Sequence, residues 1–327
     1  MAVNTKAIKS RIRSVSNTKK ITKAMEMMSA VKMRKAIDNA LGTRFYARLA
    51  QELIENVSKI DEPNVDLLEI RPVKKMLVIL ISSNKGLCGS FNSNILRKMK
   101  VILDDASNVA RHRIPDAKDV LASENIDIDF MCVGKRGANF AKKYGYNLVA
   151  VYEKLTERPS MDEVLPVARQ TIKLFKERKY DKVIMAYTDF KSSIVQEAKV
   201  RQLLPFSSVD LEKMISNVGD KKTREDTQNE ELQRIKKEKL DMSNYLFEPD
   251  LDTVIKNVFP RLVEIQLYQA VLESVASEHS SRMMAMKNAS EAANEMIKDL
   301  NLTFNKARQA GITQEISEIS GGVAALE

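Results

Sequence analysis

The apolar positions of this chain change period twice. From residue 3 to residue 58 they fall at helical spacing, and neither Gly nor Pro interrupts residues 1–41. Gly42 is the single breaker before Pro63. One long helix is therefore expected, roughly 80 Å at the usual rise per residue. The middle reads differently. "KKMLVILIS" (74–82), "IDIDFMCVG" (126–134) and "DKVIMAYTD" (181–189) are short apolar runs behind polar leaders, and "NLVAVYE" (147–153) is a fourth candidate. Runs of that kind are buried strands. Helical patterns lie between them at 91–104, 135–144 and 161–179, an alternation that predicts a mostly parallel α/β sheet. "SSIVQEAKVRQLLP" (192–205) alternates polar and apolar, as an antiparallel or edge strand does.

After Pro260 the helical period returns. From Arg261 to Ser320 there is no proline and one glycine, Gly311. A seven-residue repeat threads Ile265, Tyr268, Leu272, Val275, His279, Arg282, Met286, Ala289, Ala293, Met296, Leu300, Thr303, Ala307 and Ala310, which implies a left-handed coiled coil. Alanines dominate its far end, so a thin, close seam is expected there. Two stretches stay polar: residues 105–125, and 207–243 around "GDKKTREDTQNEELQRIKKEK". The expected fold is thus α+β or α/β, with the N- and C-terminal helices paired as a long antiparallel coiled coil beside a central Rossmann-like α/β domain. The divisions are 1–60, 74–206, 207–250 and 251–327.

A closer reading of the first helix changes this picture. With Ile8 at zero and 100° per residue, Ile12 and Val15 fall within about 40° of it. Ile21, Ala24, Met25, Met28 and Val31 fall between about 140° and 260°, on nearly the opposite side, whereas Met33 and Ile37 return to the first. One face serves the C-terminal helix and the other needs a second partner. The charge sits on the same helix. Of 53 basic and 44 acidic residues, ten basic and one acidic, Glu26, lie in 1–36, which leaves 43 of each for the rest of the chain. A soft methionine surface among lysines suits a protein partner of changing shape. Nucleic acid is the alternative reading of a basic helix, but no aromatic residue interleaves with the charges before Phe45 and Tyr46.

Candidate chemistry is sparse. Cys88 and Cys132 sit in apolar runs as free thiols would in a reducing compartment, and His112 and His279 are isolated. No metal site, catalytic group or cofactor is expected. "SSNKGLCGSFN" (82–92) and "VGKRGANF" (133–140) lie where a phosphate cradle sits, but neither holds GxGxxG or GxxxxGK[ST]. Gly86 and Gly89 are expected to make a tight turn instead. Asp181, Asp189 and Glu197 lie at strand ends with no second carboxylate tied to them by spacing.

"KITKAMEMMSAVKMRKA" (20–36) and "SRMMAMKNAS…LTFNKARQAGITQEISEISGGVAAL" (281–326) closely resemble the two ends of the γ subunit of F-type ATP synthases, and "SSNKGLCGSFN" and "YLFEPD" (245–250) are similar to that family too. The two polar stretches depart from its pattern. The resemblance implies a non-catalytic central stalk that couples ion flow through the membrane to ATP synthesis or hydrolysis. Its implied partners are the α and β subunits of a surrounding ring, the ε subunit and the c-subunit ring. It implies ring contacts for Met25, Lys32, Met33, Arg34, Lys35, Arg308, Gln309, Thr313 and Glu315, and c-ring contacts for Tyr245, Phe247 and Glu248. No apolar run reaches the eighteen residues a membrane helix needs. Early Arg and Ser raise a transit peptide, but the basic segment runs straight into the patterned helix. The expectation is a peripheral protein on the cytoplasmic side of a bacterial inner membrane, attached through its complex.

Overall fold

The computed structural model describes residues 5–57, 66–105, 126–155, 159–206 and 251–324. It divides into two compact units, Met1–Ala30 with Arg282–Glu327, and Val31–Ser281. In chain order the elements are α1 (Thr5–Val57), β1 (Lys75–Ile81), α2 (Phe91–Asp104), β2 (Asp127–Val133), α3 (Lys135–Lys143), β3 (Asn147–Tyr152), α4 (Met161–Lys176), β4 (Lys182–Phe190), β5 (Gln196–Leu204) and α5 (Leu251–Ala324), with a 3-10 turn at Asp66–Leu68. The stretches 105–125 and 207–243 lie essentially outside the described residues.

In the larger unit the strand order is β3-β2-β1-β4-β5. The first four strands run parallel, and β5 returns antiparallel on β4. The period of two explains why β1 reads as an unbroken apolar run. Leu77, Ile79 and Ile81 enter one core with α4 and the N-terminal part of α5, while Met76, Val78 and Leu80 enter a second core with α2 and α3. Each such aliphatic side chain contributes about 1.5–3 kcal/mol by leaving water. A capping box of Ser160 and Glu163 starts α4, with Asp162 and Glu163 in its first turn and Lys173 and Lys176 in its last, charges that suit the helix dipole. The helix stops short of 179 because Arg178 turns left-handed at φ 56°, where Glu69 pairs with it at 3.1 Å.

α5 begins at Leu251, where the expected C-terminal division starts, and runs through Pro260, ahead of the point where the helical period of the sequence returns. Proline forfeits a helix hydrogen bond there and costs about 3 kcal/mol. Burial on both sides offsets that loss: Phe259, Leu262 and Val263 join the first core, and Phe259 packs edge-on against Phe206 at 5.4 Å.

In the smaller unit, α1 buries or half-buries Thr5, Ile8, Ile12, Val15, Lys19, Thr22, Glu26 and Ser29, a strict heptad. Thr22 Oγ1 meets Ser290 Oγ at 2.7 Å, and Lys19 Nζ donates to Asn294 Oδ1 at 2.7 Å. A step back along α1 is a step forward along α5, so the helices run antiparallel. On α5 the covered row is Met286, Ser290, Ala293, Ile297, Leu300, Phe304 and Ala307. Alternate members of the expected repeat hold, and the others slip by one residue, so that Ile297 replaces Met296, which is exposed. The most buried seam residues, Thr22, Ser29, Met286, Ser290 and Ala293, are mostly small, and the seam is close and thin.

Candidate functional site

The strand-end loops come first, since a nucleotide would sit there. The N-terminal amides of α3 point at the end of β1, and the chain fills them itself. Lys135 N donates to Asn84 Oδ1 at 3.0 Å, Arg136 N to Ser83 O at 3.2 Å and Gly137 N to Ser82 Oγ at 2.8 Å. Three groups that could have held a phosphate are bonded to β1's own loop. Gly134 makes this approach possible: its φ is +98°, and a Cβ there would lie 2.2 Å from Ser82 O. The tight turn before α2 does form, but its left-handed residues are Leu87 at φ 61° and Gly89 at φ 54°, not Gly86. Gly86 matters for space, since a Cβ there would meet the Arg136 guanidinium at 3.2 Å.

The strand-end carboxylates are structural. Asp181 accepts the amides of Lys74 and Lys75 at 2.9 and 3.0 Å and fixes the start of β1. Asp189 is fully buried, bonded to Lys199 and 3.5 Å from Lys191. Its unforeseen neighbour is Glu273 on α5. Burial, then the adjacent Asp189 carboxylate, push Glu273 up to about 8, although Gln269 Nε2 donates to it at 3.1 Å. Among the described residues neither Asp189 Oδ1 nor Glu273 Oε2 meets a donor; a proton on Glu273 supplies one. Cys88 and Cys132 are free and buried, and burial pushes the Cys132 thiol up to about 12. Among the described residues no group of His, Cys, Asp and Glu could hold a metal ion, and no helix is long and apolar enough to cross a membrane.

What remains is surface. The second face of α1 is uncovered: Ile21 is 60% exposed, Met28 57% and Val31 53%, with Met27 beside them and Met25 half-buried. Lys20 and Lys23 edge this band, and Lys23 pairs with Glu26 at 3.0 Å. α5 carries a separate bare surface. Residues 308–322 are exposed throughout, and Ile312, Ile316 and Ile319 line one side of that stretch. Contiguous exposed apolar faces of this kind mark interaction sites.

The residues singled out from sequence fall on these surfaces unevenly. Arg308, Gln309, Thr313 and Glu315 lie together on the bare end of α5 and are all exposed. Arg308 is 18 residues beyond Ser290, about 27 Å along the axis from the level of Thr22, so Met25 belongs to a different level. Arg34 and Lys35 are exposed and Lys32 is half-buried. Met33 is the member of this set that the chain itself covers, at 8% exposure, in line with its place on the first face of the helical wheel. Tyr245, Phe247 and Glu248 lie outside the described residues.

A family model described as ATP synthase matches residues 4–326. The ATP synthase gamma chain of Roseiflexus castenholzii is 39% identical over 327 residues, 99% of this chain and 98% of that one. That of Stenotrophomonas maltophilia is 36% identical over 321 residues, 98% of each chain. Among solved structures, a chain of the Euglena gracilis mitochondrial ATP synthase, OSCP/F1/c-ring in rotational state 3, matches with a TM-score of 0.63 over 98% of this chain and 94% of that one at 18% identity, a likeness of fold. A chain from the central stalk and c-ring of the Tetrahymena thermophila mitochondrial ATP synthase matches at 25% identity and a TM-score of 0.53, over 83% of this chain and 99% of that one.

Proposed function

The chain belongs to the ATP synthase gamma chain family, and on that premise we propose how its surfaces work. It is the central stalk of an F-type ATP synthase, part of the ATPase complex, with the α and β subunits of the head, the ε subunit and the c-ring as partners. Family membership decides against the nucleic-acid reading of the basic helix.

The chain contributes no catalytic group of its own and acts as a shaft. The observation that carries this reading is the bare apolar band on α1, Ile21, Met28 and Val31, set among unbalanced positive charge. A surface built to bind one partner permanently would be expected to pair its charges. Soft side chains ringed by lysine suit a surface that slides past changing neighbours. Met25 with Lys32, Arg34 and Lys35, and Arg308, Gln309, Thr313 and Glu315 on α5, are the residues assigned to the ring, with acidic segments of the ring pushing on the basic ones; Met33, which the chain itself covers, drops out of that set. Tyr245, Phe247 and Glu248 are assigned to the foot at the c-ring. Residues 1–60 and 251–327 serve as the shaft and 74–206 as its α/β domain. The complex is membrane-bound, with this subunit peripheral on the cytoplasmic side of the inner membrane.

Co-purification tests the stalk. The full chain, tagged and expressed with its complex, should bring down a stoichiometric ATPase hexamer. Met25→Lys should leave that assembly intact yet lower ion-driven ATP synthesis in membrane vesicles. Normal coupling in that variant would remove Met25 from the ring contact, and recovery of nucleic acid without a hexamer would sink the stalk reading.

A further inference from the structure

Within the larger unit, α5 touches the sheet in two chemically different ways. Phe259, Leu262, Val263, Leu267 and Val271 pack into the apolar core, and such contact is non-directional. Further on the helix changes to serine. Ser274 Oγ accepts the amide of Thr188 at 3.1 Å, and Ser277 Oγ donates to the carbonyl of the same residue at 3.2 Å. Ser280 Oγ donates to Ser193 O at 2.6 Å and accepts from Gln196 Nε2 at 3.2 Å, while Ser281 Oγ donates to Gln196 Oε1 at 3.1 Å. The four serines span about 120° of the helix surface. Ser274, Ser277 and Ser280 are 2%, 0% and 0% exposed.

Thr188 is an unusual anchor. It lies two residues past Leu80↔Ala186, the last pair in the β1–β4 register, while still opposite Ala198 on β5. Its amide and carbonyl are taken by two hydroxyls of one helix. Backbone groups of a central strand are the least movable partners a side chain can have, and hydrogen bonds to them fix position along the helix as well as rotation about it. The same helix is the one that continues past Ser281 into the other unit.

We propose that Ser274, Ser277, Ser280 and Ser281 form a clasp that locks α5 in register on the β4–β5 hairpin, and that torque entering the α/β unit passes to the shaft through this clasp. The inference rests on the stalk reading above. Leucine packing alone would let the helix slip by a fraction of a turn under load. Slack of that kind matters when the shaft is driven from the side of the α/β domain. It matters little when the ring turns an unloaded shaft.

The test uses the whole complex in membrane vesicles with Ser274→Ala/Ser277→Ala. A neutral hydrogen bond is worth about fivefold in the ratio of made to broken, so loss of the bond that the Thr188 amide donates to Ser274 should raise amide exchange at Thr188 about fivefold. The variant should assemble at normal stoichiometry and hydrolyse ATP at the normal rate, while ion-driven synthesis falls. Faster exchange at Thr188 with an unchanged ratio of synthesis to hydrolysis would overturn the clasp and leave the stalk reading standing. Should the double variant fail to assemble, Gln196→Leu, which removes the bonds to Ser280 and Ser281 at the partly buried edge of the hairpin, is read by the ratio of synthesis to hydrolysis alone: a fall supports the clasp and an unchanged ratio overturns it. A wild-type chain that brings down no hexamer would fail the stalk reading first.

Discussion

Glu273 offers a prediction whose sign follows from its surroundings. The group is buried beside Asp189, and its folded value stands near 8 against 4.5 for an exposed glutamate. An acid whose pKa is raised by folding holds its proton longer in the native state than in the unfolded one. Between pH 4.5 and about 8 the unfolded chain therefore binds fewer protons than the native chain, and stability falls as pH rises. The slope is about 1.4 kcal/mol per pH unit within that window and vanishes on either side of it. From pH 5.5 to pH 7.5 this one group removes about 3 kcal/mol. Glutamine has nearly the same shape and no proton to lose, so Glu273→Gln abolishes the dependence and makes the protein relatively more stable at pH 7.5 than at 5.5. The assay is urea unfolding of the full chain at four pH values from 5.5 to 8.5, read as the difference between variant and wild type. Taking the difference cancels every other titrating group. If the two midpoints run parallel across that range, Glu273 is not the protonated partner of Asp189 and the reasoning fails.

Two further outcomes test other parts of the molecule. Burial alone would raise Asp129, but hydrogen bonds from Tyr180 (2.7 Å), Asn147 and Lys75 together with the Lys75 charge (3.3 Å) hold it below the usual carboxylate range. Its stabilising contribution is present above the unfolded pKa and is lost as pH falls through the lower folded one. Tyr180→Phe should therefore destabilise by about 1–3 kcal/mol at pH 7, with the gap from wild type narrowing in acid, as thermal denaturation at pH 7 and pH 3 will show. In the seam of the smaller unit, Thr22→Val leaves the buried Ser290 hydroxyl without its partner at 2.7 Å and should cost about 1 kcal/mol or more. Thr22→Val with Ser290→Ala should recover most of that, since both polar groups are then gone; a double variant weaker than the single would refute the pairing.

The parts of the fold that could be read in advance are those where one element carries its own message. β1 from Met76 to Ile81 and β4 from Val183 to Ala186 are apolar at every position because both faces meet a helical layer, and that needs no knowledge of what packs on them. The bare face of α1 was visible for the same reason, since a single helix wheel places Ile21, Met28 and Val31 together. What failed depended on distant parts of the chain. Asp189 and Glu273 are 84 residues apart, and no spacing links a strand end to a helix two elements on. The α5 seam slipped by one residue because serine and alanine mark a close contact as poorly as they mark solvent. Met296 looked like the knob, yet Ile297 is the residue that turns inward. The helical period was legible only after Pro260, whereas the aromatic packing of Phe259 carries the helix through it.

The bare end of α5, residues 308–322, carries a consequence for the cell. Antiparallel pairing with α1 reaches the level of Thr5, and beyond it none of the described residues covers α5. An isolated helix of that length is marginal in water, and Ile312, Ile316 and Ile319 present an apolar flank to anything that passes. A copy of this subunit without its partners would keep that flank in view of chaperones and proteases. If the ring contact proposed above covers it, copies made in excess of their partners would be the ones quality control removes.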